Sequence, residues 1–331
     1  MKLSLYDFLK YFLLLGLGLA LLVAAFSGQD FGQLLNDLKS ANYWWVLASV
    51  TACLLAHVLR ALRWNMLIEP LQNRSPKPLT TFYAVMIGYL ANLAFPRMGE
   101  VSRCGVIHKT DKIPLNQLIG TVITERLIDL LMLIMVLTIA IFAQYQLIGD
   151  SLYHSLLLKF TSKVNYTSLL ILAALLSATS LFLFFIIIKK KHWGIVQKGA
   201  ALWQGFSSGL RSVKKMRQKE LFVTYSILIW VFYFLSTYFC LFALQALSHL
   251  GLAAALSILV FGSLGMIAPV QGGIGAFHWI VAEGLTIYAI QRSDGLAYAT
   301  ILHSSQTIVI LVIGLISVVM IMIDSSKKLK Q

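Results

Sequence analysis

The sequence predicts an all-α polytopic membrane protein with about six full transmembrane helices and two re-entrant, broken hairpins arranged as an inverted repeat. Three observations lead there. The 331 residues are 59% hydrophobic and only 12% charged, with a mean hydropathy of +0.80; a soluble domain keeps roughly a quarter of its residues charged. Apolar runs recur along the whole chain, so residues 1–331 read as one integral membrane domain. Two of those runs are interrupted by proline and glycine, and basic residues gather in a few loops.

The net charge of +14 belongs to this setting. In a membrane protein an excess of lysine and arginine records topology and attraction to an anionic leaflet, so no nucleic-acid partner is expected. The three cysteines, Cys53, Cys104 and Cys240, sit singly in or beside apolar runs. They read as buried, inert thiols without disulfide or metal-ligand spacing.

The apolar runs fall at about 11–26, 43–68, 79–95, 114–145, 168–188, 221–248, 251–268, 274–290 and 296–323. A full span needs about 20 such residues. The first run follows Lys2 and Lys10 and ends Ala24-Ala25-Phe26-Ser27-Gly28. Cleavage as a signal peptide is an alternative there, but its length favours a retained first helix. Segment 59–78, which overlaps the end of the second run, holds Arg60, Arg63, Arg74 and Lys77. The most basic stretch is 189–220, with Lys189, Lys190, Lys191, Lys198, Arg211, Lys214, Lys215, Arg217 and Lys219 against Glu220 alone. Both belong on the cytoplasmic side.

Those two assignments constrain everything between them. Three full spans at 79–95, 114–145 and 168–188 would place loop 189–220 outside. The conflict disappears if 79–112 enters the membrane from the cytoplasm, turns, and returns. Pro96 and Gly99 break the helix there, proline by lacking a donor and glycine by accepting unusual backbone angles.

The second half repeats the pattern. In "APVQGGIGAFHW" (268–279), Pro269, Gly272 and Gly273 divide two apolar runs, and Pro96 and Gly99 match Pro269 and Gly272 at a constant offset. A long helix follows each turn, giving pseudo-repeats of about 79–145 and 251–323. Lys327, Lys328 and Lys330 place the C-terminus inside with the N-terminus, so the second hairpin enters from the outer face. Two opposed broken hairpins mark an inverted-repeat transporter, whose substrate site lies near the midplane.

Candidate site residues follow from charge at membrane depth, which is costly and normally faces water or an opposite charge. In "NLAFPRMGEVSR" (92–103), Arg97 and Arg103 offer forked donors suited to phosphate oxygens. Gly99 supplies the turn, and Glu100 would pair with those arginines when the site is empty. The plainer reading is a solvated surface loop. In "TERLIDLL", Glu125 lies 11 residues beyond Pro114, about 16 Å along a helix and near the middle of a ~30 Å hydrocarbon core. Glu125 and Asp129 share a face, with Arg126 as the expected partner of one or the other. A structural ion pair and a role in substrate or proton binding are both open. Arg60, Arg63 and Trp64 read first as interfacial anchors, with lipid phosphate as the functional alternative. Gly272, Gly273 and His278, with Glu283 beyond, would meet the cavity from the outer side. No Walker A loop, paired dinucleotide motif, H-E-x-x-H or nucleophile elbow is present, so neither cofactor nor metal is expected. Loop 189–220 reads as an amphipathic stretch on the anionic leaflet or as a solvated topology determinant.

Taken in order, "RALRW" (60–64), "NLAFPRMGEVSR", "TERLID" (124–129) and "APVQGGIG" (268–275) resemble the lysylphosphatidylglycerol synthase transmembrane region, a flippase-like membrane family. The resemblance implies a polytopic inner-membrane protein, and in two-domain members this region moves an aminoacylated phospholipid. It places Arg97, Gly99, Glu100, Arg103, Glu125, Arg126 and Asp129 on family motif positions. The family often carries a glutamate where this chain has His278. The sequence ends six residues after Ser325, so no soluble aminoacyl-transferase domain and no synthesis of lysylphosphatidylglycerol are expected.

The expected function is translocation of an anionic phospholipid or polyprenyl-linked headgroup across the inner membrane, without a nucleotide. The alternatives are a membrane-embedded transferase with Glu100 or Asp129 as base, or a partner subunit without activity. A homo-oligomer is compatible with either.

Overall fold

The computed structural model describes residues 5–72, 76–144 and 216–329, with side chains over 13–71, 76–144 and 216–324. The expected span at 168–188 and most of loop 189–220 lie outside the described residues. Within them the chain is all-helical, with ten α-helices. We label these α1 (Leu5–Phe26), α2 (Phe31–Ser40), α3 (Tyr43–Gln72), α4 (Pro78–Ala94), α5 (Met98–Asp111), α6 (Leu115–Ala143), α7 (Lys219–Leu241), α8 (Leu252–Ile267), α9 (Ala276–Thr286) and α10 (Arg292–Leu329).

Four of them, α3, α6, α7 and α10, are long and apolar enough to cross a membrane. The Leu13–Phe26 part of α1 reaches that length together with α2, from which it is bent by 89°. The bend falls at Gly28, whose φ of 74° suits glycine. Asp30 then caps α2, its Oδ1 accepting from Gly32 N at 2.7 Å. Helices α6 and α10 leave Leu131, Phe142, Ile308 and Met322 exposed along their length. Helices apolar all round and exposed in this way are matched to hydrocarbon rather than to water.

Helices α4 and α8 have 17 and 16 residues, short of the ~20 a full span needs. Each ends in a break and is followed by a helix packed back against it, α5 on α4 and α9 on α8. Proline sits at the start of α4 as Pro78, where its missing N–H costs nothing. The first break covers Phe95, Pro96 and Arg97, and the second holds a 3₁₀ turn, Gln271–Gly273. That turn packs against the end of α4, where a side chain at Gly272 would strike Leu93.

The two breaks are not built alike, contrary to the match of Gly99 with Gly272. Gly272 (φ 56°), Gly273 (φ 76°) and Gly275 (φ 82°) carry the second turn. In the first, the left-handed residue is Arg97 (φ 65°), and Gly99 already lies inside α5. Gly99 is there for a different reason: an added Cβ would run into the Gly88 carbonyl oxygen and the Asn92 side chain. Gly88 and Gly99 thus let α4 and α5 approach backbone to backbone, and Gly99 N donates to Asn92 Oδ1 at 2.7 Å.

The apolar core falls in separate clusters. One, around Trp64, Leu67, Ile107 and Leu118, joins α3, α5 and α6. Another, around Leu241, Leu247, Val281 and Tyr298, joins α7 to α10. Cys53, Cys104 and Cys240 are free and buried, as expected from their apolar surroundings.

Candidate functional site

Two spacings build the centre of the protein. Arg60 and Arg63 stand three apart on α3, and Glu125 and Asp129 stand four apart on α6, so each pair projects from one helix face. Arg103 comes to the same place on α5. Arg60 Nη1 lies 3.1 Å from Glu125 Oε1 and its Nη2 2.9 Å from Asp129 Oδ2. Arg63 Nη2 is 2.6 Å from Asp129 Oδ1, and Arg103 Nη1 is 2.9 Å from Glu125 Oε2. Arg63 also donates to Ser226 Oγ on α7 at 3.3 Å. Trp64 fixes the frame: its Nε1 donates to Thr121 Oγ1 at 2.9 Å, and the Arg103 guanidinium lies 4.5 Å over its ring.

All five charged residues are buried, Arg63 and Glu125 completely. Taking ions out of water costs several kcal/mol each, recovered only by close, well-oriented partners. Three guanidinium groups against two carboxylates leave one positive charge unbalanced. Arg103 Nη2 and Nε have no partner among the described residues.

A cavity of about 460 Å³ opens beside this cluster, with Arg60, Asp129 and Arg126 on its polar edge. Trp230, Tyr233, Leu259, Met266, Phe277 and Ile310 are among the residues that make the rest apolar. That volume lies within the ordinary ligand-pocket range. A second space of about 10 Å³ lies between α4, α5 and α6, lined by Arg60, Tyr89, Asn92, Glu100, Arg103 and Arg126. It has room for about one water molecule.

The structure corrects several sequence expectations. Arg60 and Arg63 are not interfacial anchors; they turn inward, where Glu125 and Asp129 on α6 neutralise them. Arg126 pairs with neither Glu125 nor Asp129, because it lies about a quarter-turn round α6 from their shared face and reaches toward α5. It meets Glu100 at 2.9 Å, so Glu100 pairs with Arg126 rather than with Arg97 or Arg103. Arg97 stands apart at the tip, exposed and without an ion pair among the described residues. Glu283 pairs with Arg292 at 2.6 Å, away from the cluster.

His278 joins a second group. It is buried, and its ring lies 4.9 Å from that of His303, also buried, on α10. His303 Nε2 is 2.8 Å from the Gly272 carbonyl oxygen; a carbonyl only accepts, so Nε2 carries the hydrogen. His278 Nδ1 has no partner among the described residues. Phe277 packs against both imidazoles and lines the large cavity. Sequence reasoning passed over His303, Asn92 and Gly88. The signal for His303 was a lone imidazole in the apolar run 296–323; the other two become visible only when α4 and α5 are packed.

Residues 11–314 match the family model described as lysylphosphatidylglycerol synthase TM region. No curated protein and no solved structure shows significant similarity to the chain.

Proposed function

Since the chain belongs to the lysylphosphatidylglycerol synthase TM region family, a family that handles lipid in the membrane, we propose that it moves an anionic phospholipid or polyprenyl-linked lipid between leaflets. The observation that carries this reading is the surplus positive charge of a buried cluster at the edge of a 460 Å³ apolar cavity. Such a place suits an anionic headgroup with its chain in the apolar part. Arg60 meets the phosphate from the cavity's edge, Arg126 closes that edge, and Arg103 adds its charge from the adjoining small space. Arg63, Glu125 and Asp129 keep the donors in position.

In this reading α4–α5 and α8–α9 are re-entrant hairpins entering from opposite faces, with both termini cytoplasmic in the inner membrane. Their shortness, their paired breaks and the contact between Leu93 and the Gly272 turn support it. Gly272 and Gly273 give the second tip its bend, and Arg97 is the first headgroup contact at the other. The transferase alternative is weaker on geometry. Both Asp129 oxygens are taken by arginines, and Glu100, held by a third, does not line the 460 Å³ cavity.

Vesicles containing the purified protein and a fluorescent phosphatidylglycerol test the proposal. Dithionite should bleach more than the outer-leaflet half of the label, and a phosphatidylcholine label should move more slowly. Bleaching that stops at half in protein-containing vesicles would remove the transport reading, and a new lipid product would favour the transferase.

A further inference from the structure

A group that takes up and releases a proton must exist in both states. Glu125 lies within 4 Å of three arginines and Asp129 of two, so every oxygen of both carboxylates already meets a guanidinium. His57 lines the cavity, but Arg60 follows one helical turn later, and a fixed positive charge opposes a second one. His278 and His303 have no such neighbour.

The surroundings of that pair can be named element by element. Helix α9 packs against α1, α8 and α10. The described side chains of α1 and all of α8 include no titratable group. On α9 itself Glu283 is half exposed and already paired with Arg292 at the start of α10, where Asp294 also lies; α10 further carries Tyr298, whose hydroxyl donates to the Thr237 carbonyl, and Asp324 near its end. Helix α10 also packs against α2, α3, α4 and α7. Their titratable groups are Asp37 and Lys39; Tyr43, Cys53, His57, Arg60, Arg63 and Glu69; Tyr83 and Tyr89; and Lys219, Glu220, Tyr225, Tyr233, Tyr238 and Cys240. None of these acts on the pair: the titratable group that acts on His278 is His303, and His303 is bonded to the Gly272 carbonyl.

We infer that His278 and His303 form a proton-binding site that couples protonation to opening of the second broken turn. One proton from water adds to a free ring nitrogen and creates one imidazolium; no other bond changes. With the rings 4.9 Å apart in a low-dielectric setting, the second ring stays neutral, because two like charges this close repel strongly. The imidazolium needs an acceptor, and no described residue supplies one to His278 Nδ1. The loaded form is therefore the one in which the turn has moved and water has entered. Gly272, Gly273 and Gly275 give the turn its freedom, and Phe277 carries the movement to the cavity wall. That this proton drives lipid movement rests on the transport reading; the proton site does not.

Cys53 reports the opening, because it is buried and lines the cavity. Its labelling by N-ethylmaleimide in the full chain is compared with free cysteine at the same pH. The normalised rate should rise several-fold as the pH falls from about 7 to about 4, the range in which a buried imidazole takes up a proton, and be flat in His278→Gln and His303→Gln. An unchanged pH dependence in both variants, or none in the wild type, would overturn the site. Should a variant fail to fold, ¹⁵N-histidine spectra of the wild type decide: two signals should titrate together with one proton. Independent titrations, or none, overturn it. Phosphatidylglycerol movement in the same vesicles separates the two readings. Proton-dependent labelling without lipid movement leaves the proton site and removes transport. Lipid movement with identical pH dependence in wild type and variants does the reverse.

Discussion

Arg63 and Arg126 differ in kind although both lie in apolar helices. Arg63 is wholly buried, and its guanidinium is divided between Asp129 and Ser226. The Arg126 side chain is 44% exposed and holds only Glu100. Removing one partner of a buried ion pair costs about 3–5 kcal/mol, because the other charge stays behind without water. Arg63→Ala should therefore lower the melting temperature steeply in detergent. Arg126→Ala should stay within about 1 kcal/mol of wild type, since exposed pairs contribute little, and its effect should fall on lipid movement instead. Equal destabilisation by both would mean that the second pair is as dry as the first. The members of this cluster were legible in the sequence, since charge inside an apolar run stands out. Their partners were not, because pairing depends on how three helices are rotated against one another.

At the scale of the element, the approach of α4 to α5 depends on two glycines eleven residues apart. Gly99→Ala forces a methyl group against the Gly88 carbonyl and the Asn92 side chain, and overpacking of this sort costs about 1–3 kcal/mol. Gly105, on the same helix, has open space around its Cβ position. Gly105→Ala should then be neutral or stabilising by up to ~1 kcal/mol, from helix propensity alone. Thermal melts of the two variants side by side check this; a loss in both would point to helix breaking rather than close contact. Proline and glycine are local punctuation, so the positions of both breaks could be read from the sequence. The reason for Gly99 could not, because it depends on a contact with another helix.

Across the whole molecule, the sidedness of the chain rests on stretches outside the described residues. Single cysteines placed in 189–220 should react with an impermeant maleimide only from the cytoplasmic side, and those in 155–163 only from outside. The reverse pattern would turn α4–α5 into a crossing pair and remove the opposed hairpins. All-helical architecture followed directly from composition and long apolar runs. The number of full crossings did not, because an apolar run of 16 or 17 residues fits a short buried helix as well as half of a hairpin.

The unbalanced arginine has an electrical consequence. A charge that shifts across a membrane exchanges about 2.3 kcal/mol with each 100 mV of potential. With a monoanionic headgroup in place the cluster sums to zero, so the loaded protein would change conformation almost without regard to voltage. The empty protein keeps its single positive charge. On the transport reading, membrane potential would act on the return of the vacant site rather than on the passage of the lipid.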